Sequence, residues 1–155
     1  MDKIWEEIKK YEKVLILGFG REGQSTLSFM RKYDTEKTIG VADQNVELGN
    51  IDILKNDHKL NLFLGEDYLK SVLDYDLIIK APGVRIPDEI VGQTKGHITS
   101  QVDIFLQNYR DKIIGITGTK GKSTTASFLN HFLKISGVDS VLLGNIGIPA
   151  FDVLK

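Results

Sequence analysis

The chain contains no cysteine, so neither a disulfide framework nor a thiolate metal site is open to it. No apolar run approaches the roughly 20 residues that a membrane-spanning helix requires. The N-terminal stretch, with Asp2, Glu6 and Glu7, lacks the apolar centre of a secretory signal, and a soluble, cytoplasmic protein is the expectation. An excess of charge of one sign is also missing, since 20 Lys and Arg stand against 21 Asp and Glu for a formal net charge of −1. That balance points away from a nucleic-acid or membrane surface as partner. The three histidines, His58, His97 and His131, have no acidic neighbour at metal-ligand spacing. Neither a Ser/His/Asp arrangement nor a paired-carboxylate motif can be recognised.

What remains is an ordinary globular composition, 41% hydrophobic and 26% charged over 155 residues. It suits one domain, or one domain plus part of another. Ile4, Trp5, Ile8 and Tyr11 recur at helical spacing and predict a short amphipathic helix. Val14 to Leu17 reads as a fully buried strand that runs into Gly18-Phe19-Gly20-Arg21-Glu22-Gly23. A helix over residues 25–33 and a strand over 38–42, ending at Asp43, follow. A strand, a glycine turn, a helix, a strand and a terminal acid make a dinucleotide-type βαβ fingerprint. In its functional reading the Gly18 to Gly23 loop approaches a pyrophosphate and Asp43 accepts hydrogen bonds from a nucleoside. In its packing reading the glycines only let helix meet strand, and Asp43 caps a turn.

Further along, Leu48, Ile51 and Leu54 are interrupted by Gly49-Asn50 and do not make a dependable helix. Residues 60–64, 76–81 and 97–99 read as strands, separated by short helices at 67–73 and from Pro87. The fourth strand ends in Ala81-Pro82-Gly83-Val84, a turn at the carboxyl end of the sheet, where ligands of open α/β folds bind. A helix over 101–109 closes the unit. The alternation predicts an α/β, Rossmann-like, doubly wound parallel sheet for residues 1–110.

Residues 111–155 predict a second unit. Apolar Ile113-Ile114 leads into Gly115-Ile116-Thr117-Gly118-Thr119-Lys120-Gly121-Lys122-Ser123-Thr124-Thr125, and Phe128, Leu129, Phe132 and Leu133 follow at helical spacing. A strand over 112–117, a glycine turn and a helix to about residue 136 form a phosphate cradle, because backbone N–H groups at a helix start lack intrahelical partners and attract anions. Lys122 adds a mobile charge, and the Ser123 or Thr124 hydroxyl could bind Mg²⁺. The usual G-x-x-x-x-G-K-[ST] spacing needs Gly at position 116, where Ile stands; the glycine is at Gly118 instead. A strand over 140–143 and the turn Gly144-Asn145-Ile146-Gly147-Ile148-Pro149 complete what is present. Two strands and a helix are too little to bury a core. The reading is therefore the truncated start of a P-loop ATPase-type domain, whose open edge and apolar helix face predict self-association.

The loop T-G-T-x-G-K-[ST]-T resembles the nucleotide loop of the Mur ligase family. Four landmarks in order, Gly18 to Gly23, Ala81-Pro82-Gly83-Val84, Gly118 to Thr124 and Gly144-Asn145-Ile146-Gly147, extend the resemblance over essentially the whole chain, in the branch that adds D-glutamate. The resemblance implies an ATP-dependent amide-bond ligase of peptidoglycan precursor synthesis, whose N-terminal domain holds the UDP of UDP-N-acetylmuramoyl-L-alanine rather than NAD. It implies that the glycine loop meets the diphosphate through the backbone around Arg21 and Glu22, with Gly18, Gly20 and Gly23 shaping it. Asp43 and Gln44 then meet the uridine, Pro82 and Gly83 flank the ligand, and Asn145 reaches its sugar. Gly118, Thr119, Lys120, Gly121, Lys122, Ser123 and Thr124 hold ATP, with Lys122 stabilising transferred charge and Ser123 on Mg²⁺. The family often has Ser where Ala81 stands. Its remaining metal ligands and its amino-acid-binding domain lie beyond residue 155, so these residues alone are expected not to catalyse ligation. Two readings from other classes are an NAD-dependent oxidoreductase and a non-catalytic nucleotide-binding module.

Overall fold

A computed structural model describes residues 2–144 and 148–154. Strands β1 (Val14–Leu17), β2 (Ile39–Asp43), β3 (Leu60–Leu64), β4 (Leu77–Lys80) and β5 (His97–Thr99) form one sheet in the order β3-β2-β1-β4-β5. Every pairing is parallel. Val14 of β1 sits beside Ile39 of β2 and Leu77 of β4, which fixes the register of the three central strands. The helices are α1 (Lys3–Ile8), α2 (Arg21–Tyr33), α3 (Asp52–Lys55), α4 (Asp88–Gln93), α5 (Gln101–Tyr109) and α6 (Lys122–Ile135). Short 3₁₀ turns occupy Val46–Asn50, Tyr68–Asp74, Arg110–Lys112 and Ala150–Leu154.

Side chains alternate across a strand, and a central parallel strand is covered on both faces. All four residues of β1 are accordingly buried. Val14 and Ile16, with Ile39, Val41, Leu77 and Ile79, join a core that α1, α2 and α5 cover through Ile4, Ile8, Leu27, Met30, Ile104 and Phe105. Leu15 and Leu17, with Ala42 and Ile78, join a second core with Val72 and Tyr75 on the opposite face. The doubly wound sheet expected for residues 1–110 is thus present, and its strand positions agree with the sequence reading to within two residues. Around residue 50, where no helix was expected, a 3₁₀ turn and the single-turn α3 form.

Arg31, near the end of α2, ties the sheet's opening end together. Its guanidinium donates to the Asp57 carboxylate at 2.6 and 3.3 Å and to the carbonyls of Asp34, Lys37 and Lys59. One side chain therefore fixes the α2–β2 connection against the start of β3, in the forked geometry that guanidinium allows.

The second unit departs from its expectation. Helix α6 forms where predicted, but residues 113–118 adopt no strand, and around residues 140–143 there is only an isolated bridge between Leu143 and Ile148. A strand exists through its ladder of hydrogen bonds, and among the described residues these segments have no neighbour to complete one. The chain's last described turn, Ala150–Leu154, returns to the first unit. Phe151 is buried 4.7 Å from the ring of Phe29, the Ser25 hydroxyl donates to Asp152 at 2.9 Å, and the Lys32 ammonium donates to the Leu154 carbonyl at 3.1 Å.

Candidate functional site

The carboxyl ends of β1, β2 and β4 converge on the turn between β1 and α2. Gly18 has φ +92°, in the left-handed region that favours glycine. A Cβ there would lie 2.8 Å from the Ala81 Cβ and 2.9 Å from Val84 Cγ2, both on the turn after β4. A Cβ on Gly23 would lie 2.3 Å from the Gly18 carbonyl oxygen. These two glycines let α2 and the β4 turn close on the end of β1. Gly20 and Gly83 differ, because a Cβ at either meets nothing within 4 Å. Both face open space at the sheet's carboxyl edge.

Asp43 connects β2 to the same turn. Its carboxylate accepts the Phe19 N–H at 2.7 Å and the Asn45 N–H at 2.9 Å. The acid that ends β2 thus clamps the glycine turn and starts its own Asx turn, and Gln44 beside it is exposed. Part of the packing reading of this motif is therefore real, and the functional reading keeps only the lone pairs that remain on the carboxylate.

Capping separates two kinds of helix start. Asp2 caps α1 by accepting the Ile4 N–H at 2.8 Å, and Ser100 caps α5 by accepting the Asp103 N–H at 3.1 Å. Helices α2 and α6 begin at Gly20 and Gly121, which offer no side-chain cap. Neither cap residue offers a side chain to the first N–H groups, and the positive dipole end at each start favours an anion. Arg21, at the start of α2, is exposed.

Beneath the uncapped start of α2 lies a cleft lined by Gly18, Glu22, Gly23, Thr26, Lys80 and Gln101. Burial pushes the Glu22 carboxyl above its ordinary value. Lys80 directs its ammonium to the Ala81 and Val84 carbonyls at 3.2 and 2.9 Å, which shapes the Pro82-Gly83 turn. Gln101 is fully buried, and its amide donates to the Glu22 carbonyl, the Ser25 hydroxyl and the Thr26 hydroxyl at 3.1–3.3 Å. In the sequence Gln101 stands only as the start of a helix. Its partners lie 75–79 positions away, and no local pattern announces them.

The Lys122 loop is a separate, open cradle. Gly121 has φ +76°, and a Cβ there would meet nothing within 4 Å. The Lys122 ammonium donates to the Gly118 carbonyl and folds over its own loop. Thr119, Lys120, Ser123 and Thr124 are exposed. Asn145 lies outside the described residues. Among the described residues no group of three or more His, Asp or Glu could hold a metal ion, and no helix is long and apolar enough to cross a membrane.

The family described as "Mur ligase MurD-like, N-terminal domain" matches residues 12–102, the segment that builds all five strands. The chain belongs to the MurD-like Mur ligases. This MurD-like chain is 33% identical over 150 residues to a UDP-N-acetylmuramoylalanine--D-glutamate ligase of Clostridium botulinum strain Hall, a match covering 95% of the chain and 33% of the relative. It is 31% identical over 154 residues to the ligase of the same name from Clostridium kluyveri, covering 97% of the chain and 34% of the relative. It spans about one third of the length of the curated relatives it matches. The MurD-like match ends at residue 102, before the Lys122 loop, whereas the likeness to the ligases continues through that loop.

Proposed function

We propose that residues 1–110 form the UDP-substrate domain, and residues 111–155 part of the ATP domain, of a ligase that adds D-glutamate to UDP-N-acetylmuramoyl-L-alanine in peptidoglycan precursor synthesis. The observation that carries the reading is the glycine turn itself: an uncapped helix start beside open space at Gly20, held in place by Asp43, in a chain similar to ligases of that name. A diphosphate suits this turn, because the N–H groups of the first turn of α2, around Arg21 and Glu22, have no side-chain cap. In this reading Asp43 and Gln44 at the end of β2 meet the nucleoside, and Pro82 and Gly83 flank the ligand. Asn145 is proposed to reach the sugar.

The Gly118 to Thr124 loop has the glycines, the uncapped helix start and the exposed hydroxyls that fit ATP phosphates with Mg²⁺. Bound ATP supplies the phosphoryl group that activates the substrate carboxylate for attack by the D-glutamate amine. In this reading Lys122 leaves the Gly118 carbonyl to neutralise phosphate charge, and Ser123 offers its hydroxyl to the metal. The exposed apolar face of α6 is proposed to drive self-association of the chain in solution.

Calorimetric titration with UDP-N-acetylmuramoyl-L-alanine, with NAD in parallel, tests the substrate domain. Binding of the UDP compound, weakened about tenfold or more by Asp43→Ala as the turn loses a charged clamp of about 1.5–3 kcal/mol, is the expected result. NAD binding in its place would establish the oxidoreductase reading. Binding of neither would return the glycines to a packing role.

A further inference from the structure

Two buried acceptors in the cleft under α2 have no donor. Among the described residues, Glu22 Oε2 and Gln101 Oε1 are both shut off from solvent and without a hydrogen-bond partner, and both residues line the same cleft. A buried polar atom without a partner is destabilising, and this cleft leaves no room for a water molecule. Turning the Gln101 amide over does not help. The Thr26 hydroxyl already donates to the Glu22 carbonyl at 2.8 Å and the Ser25 hydroxyl to Asp152, so a flipped Oε1 would face three oxygens with no proton to offer. The amide orientation is therefore set by the network, and the cleft lacks one donor.

The charged groups on the surrounding elements do not supply it. Lys80, at the end of β4, gives its ammonium to Ala81 and Val84. Asp43, at the end of β2, is held by the Phe19 and Asn45 N–H groups. Asp103 of α5 accepts from Thr99 and Gln107. Asp152 is held by Ser25, and Arg21, exposed on the helix rim, has an interaction of its own.

We propose that Glu22 occupies this cleft as the neutral acid, donating its proton to Gln101 Oε1, whenever the glycine turn holds a diphosphate, so that ligand binding takes up one proton. This rests on the UDP reading of the turn given above. A carboxylate on the first turn of α2 would repel a phosphate bound to the same turn, whereas the neutral acid removes the repulsion and fills the missing donor together. Burial already raises the carboxyl above its ordinary value before any ligand arrives. A bound anion raises it further.

The test is the affinity for UDP-N-acetylmuramoyl-L-alanine between pH 5.5 and 8.5. Its diphosphate is a diester and does not titrate in this window. The expected result is weaker binding as pH rises, approaching but not exceeding tenfold per unit for one coupled proton. Glu22→Gln keeps the shape and carries its own donor, and should bind at every pH about as tightly as the parent does at the acid end. A flat profile in the parent, or an unchanged slope in Glu22→Gln, overturns the proposal. Absence of binding at every pH overturns the ligand reading and the coupling with it. The carboxyl carbon resonance of Glu22, followed through the same range without ligand, separates the two failures: titration above the ordinary glutamate range is expected, and ordinary titration would show that the cleft holds no proton.

Discussion

A methyl group added at Gly23 has nowhere to go, because the nearest atom is a backbone carbonyl at 2.3 Å. At Gly20, three residues earlier in the same motif, it has open space and an extended backbone with φ −73°. Residues that are equal in a G-x-G-x-x-G pattern are therefore unequal in kind. Gly23→Ala should cost about 1–3 kcal/mol or more by overpacking, read as a lower urea midpoint. Gly20→Ala should leave that midpoint within about 1 kcal/mol yet weaken binding of the UDP compound, because its methyl projects where the ligand is proposed to lie. A midpoint lowered as much by Gly20→Ala as by Gly23→Ala would mean that the turn is built for packing at both positions. Asp43 illustrates the same point. Its place at the end of β2 was legible, but whether its oxygens met a ligand or the chain depended on a bond to Phe19, 24 residues earlier.

Among the elements, the five strands and α5 were legible because each carries its own signal, a short apolar run bounded by turn residues or a 3.6-residue stripe. The strands expected near 112–117 and 140–143 carried the same local signal and did not form, because a strand requires a neighbour and a helix does not. The Ala150–Leu154 turn is the reverse case. Five residues with no periodicity dock on α2 through Phe151, against Phe29. Phe151→Ala should lower stability by about 3–5 kcal/mol, as for other buried phenylalanines, with the denaturant slope unchanged. A loss below about 1 kcal/mol would mean that the turn detaches alone and lies outside the cooperative unit.

Taken as a whole, the molecule divides into a sheet covered on both faces and a helix covered on neither. Phe128, Phe132 and Ile135 of α6 are 59%, 56% and 66% exposed, and α6 has no buried residue. An apolar face of this kind favours association. Light scattering should report a mass above the 17.4 kDa of one chain, and Phe128→Ser with Phe132→Ser should restore the monomer. A parent that is already monomeric would count against the proposal.

Local pattern alone determined the alternation of strands and helices, the parallel architecture that follows from it, and the two glycine-rich helix starts, since periodicity, capping chemistry and glycine placement act over a few residues. Tertiary structure decided which glycines bear on packing, that Asp43 is a clamp, and that Glu22 and Gln101 share a cleft without a donor. Those properties depend on atoms brought together from the ends of β1, β2 and β4 and the start of α5. Distances of that kind are set by the packing of the sheet and leave no trace in the spacing of residues along the chain.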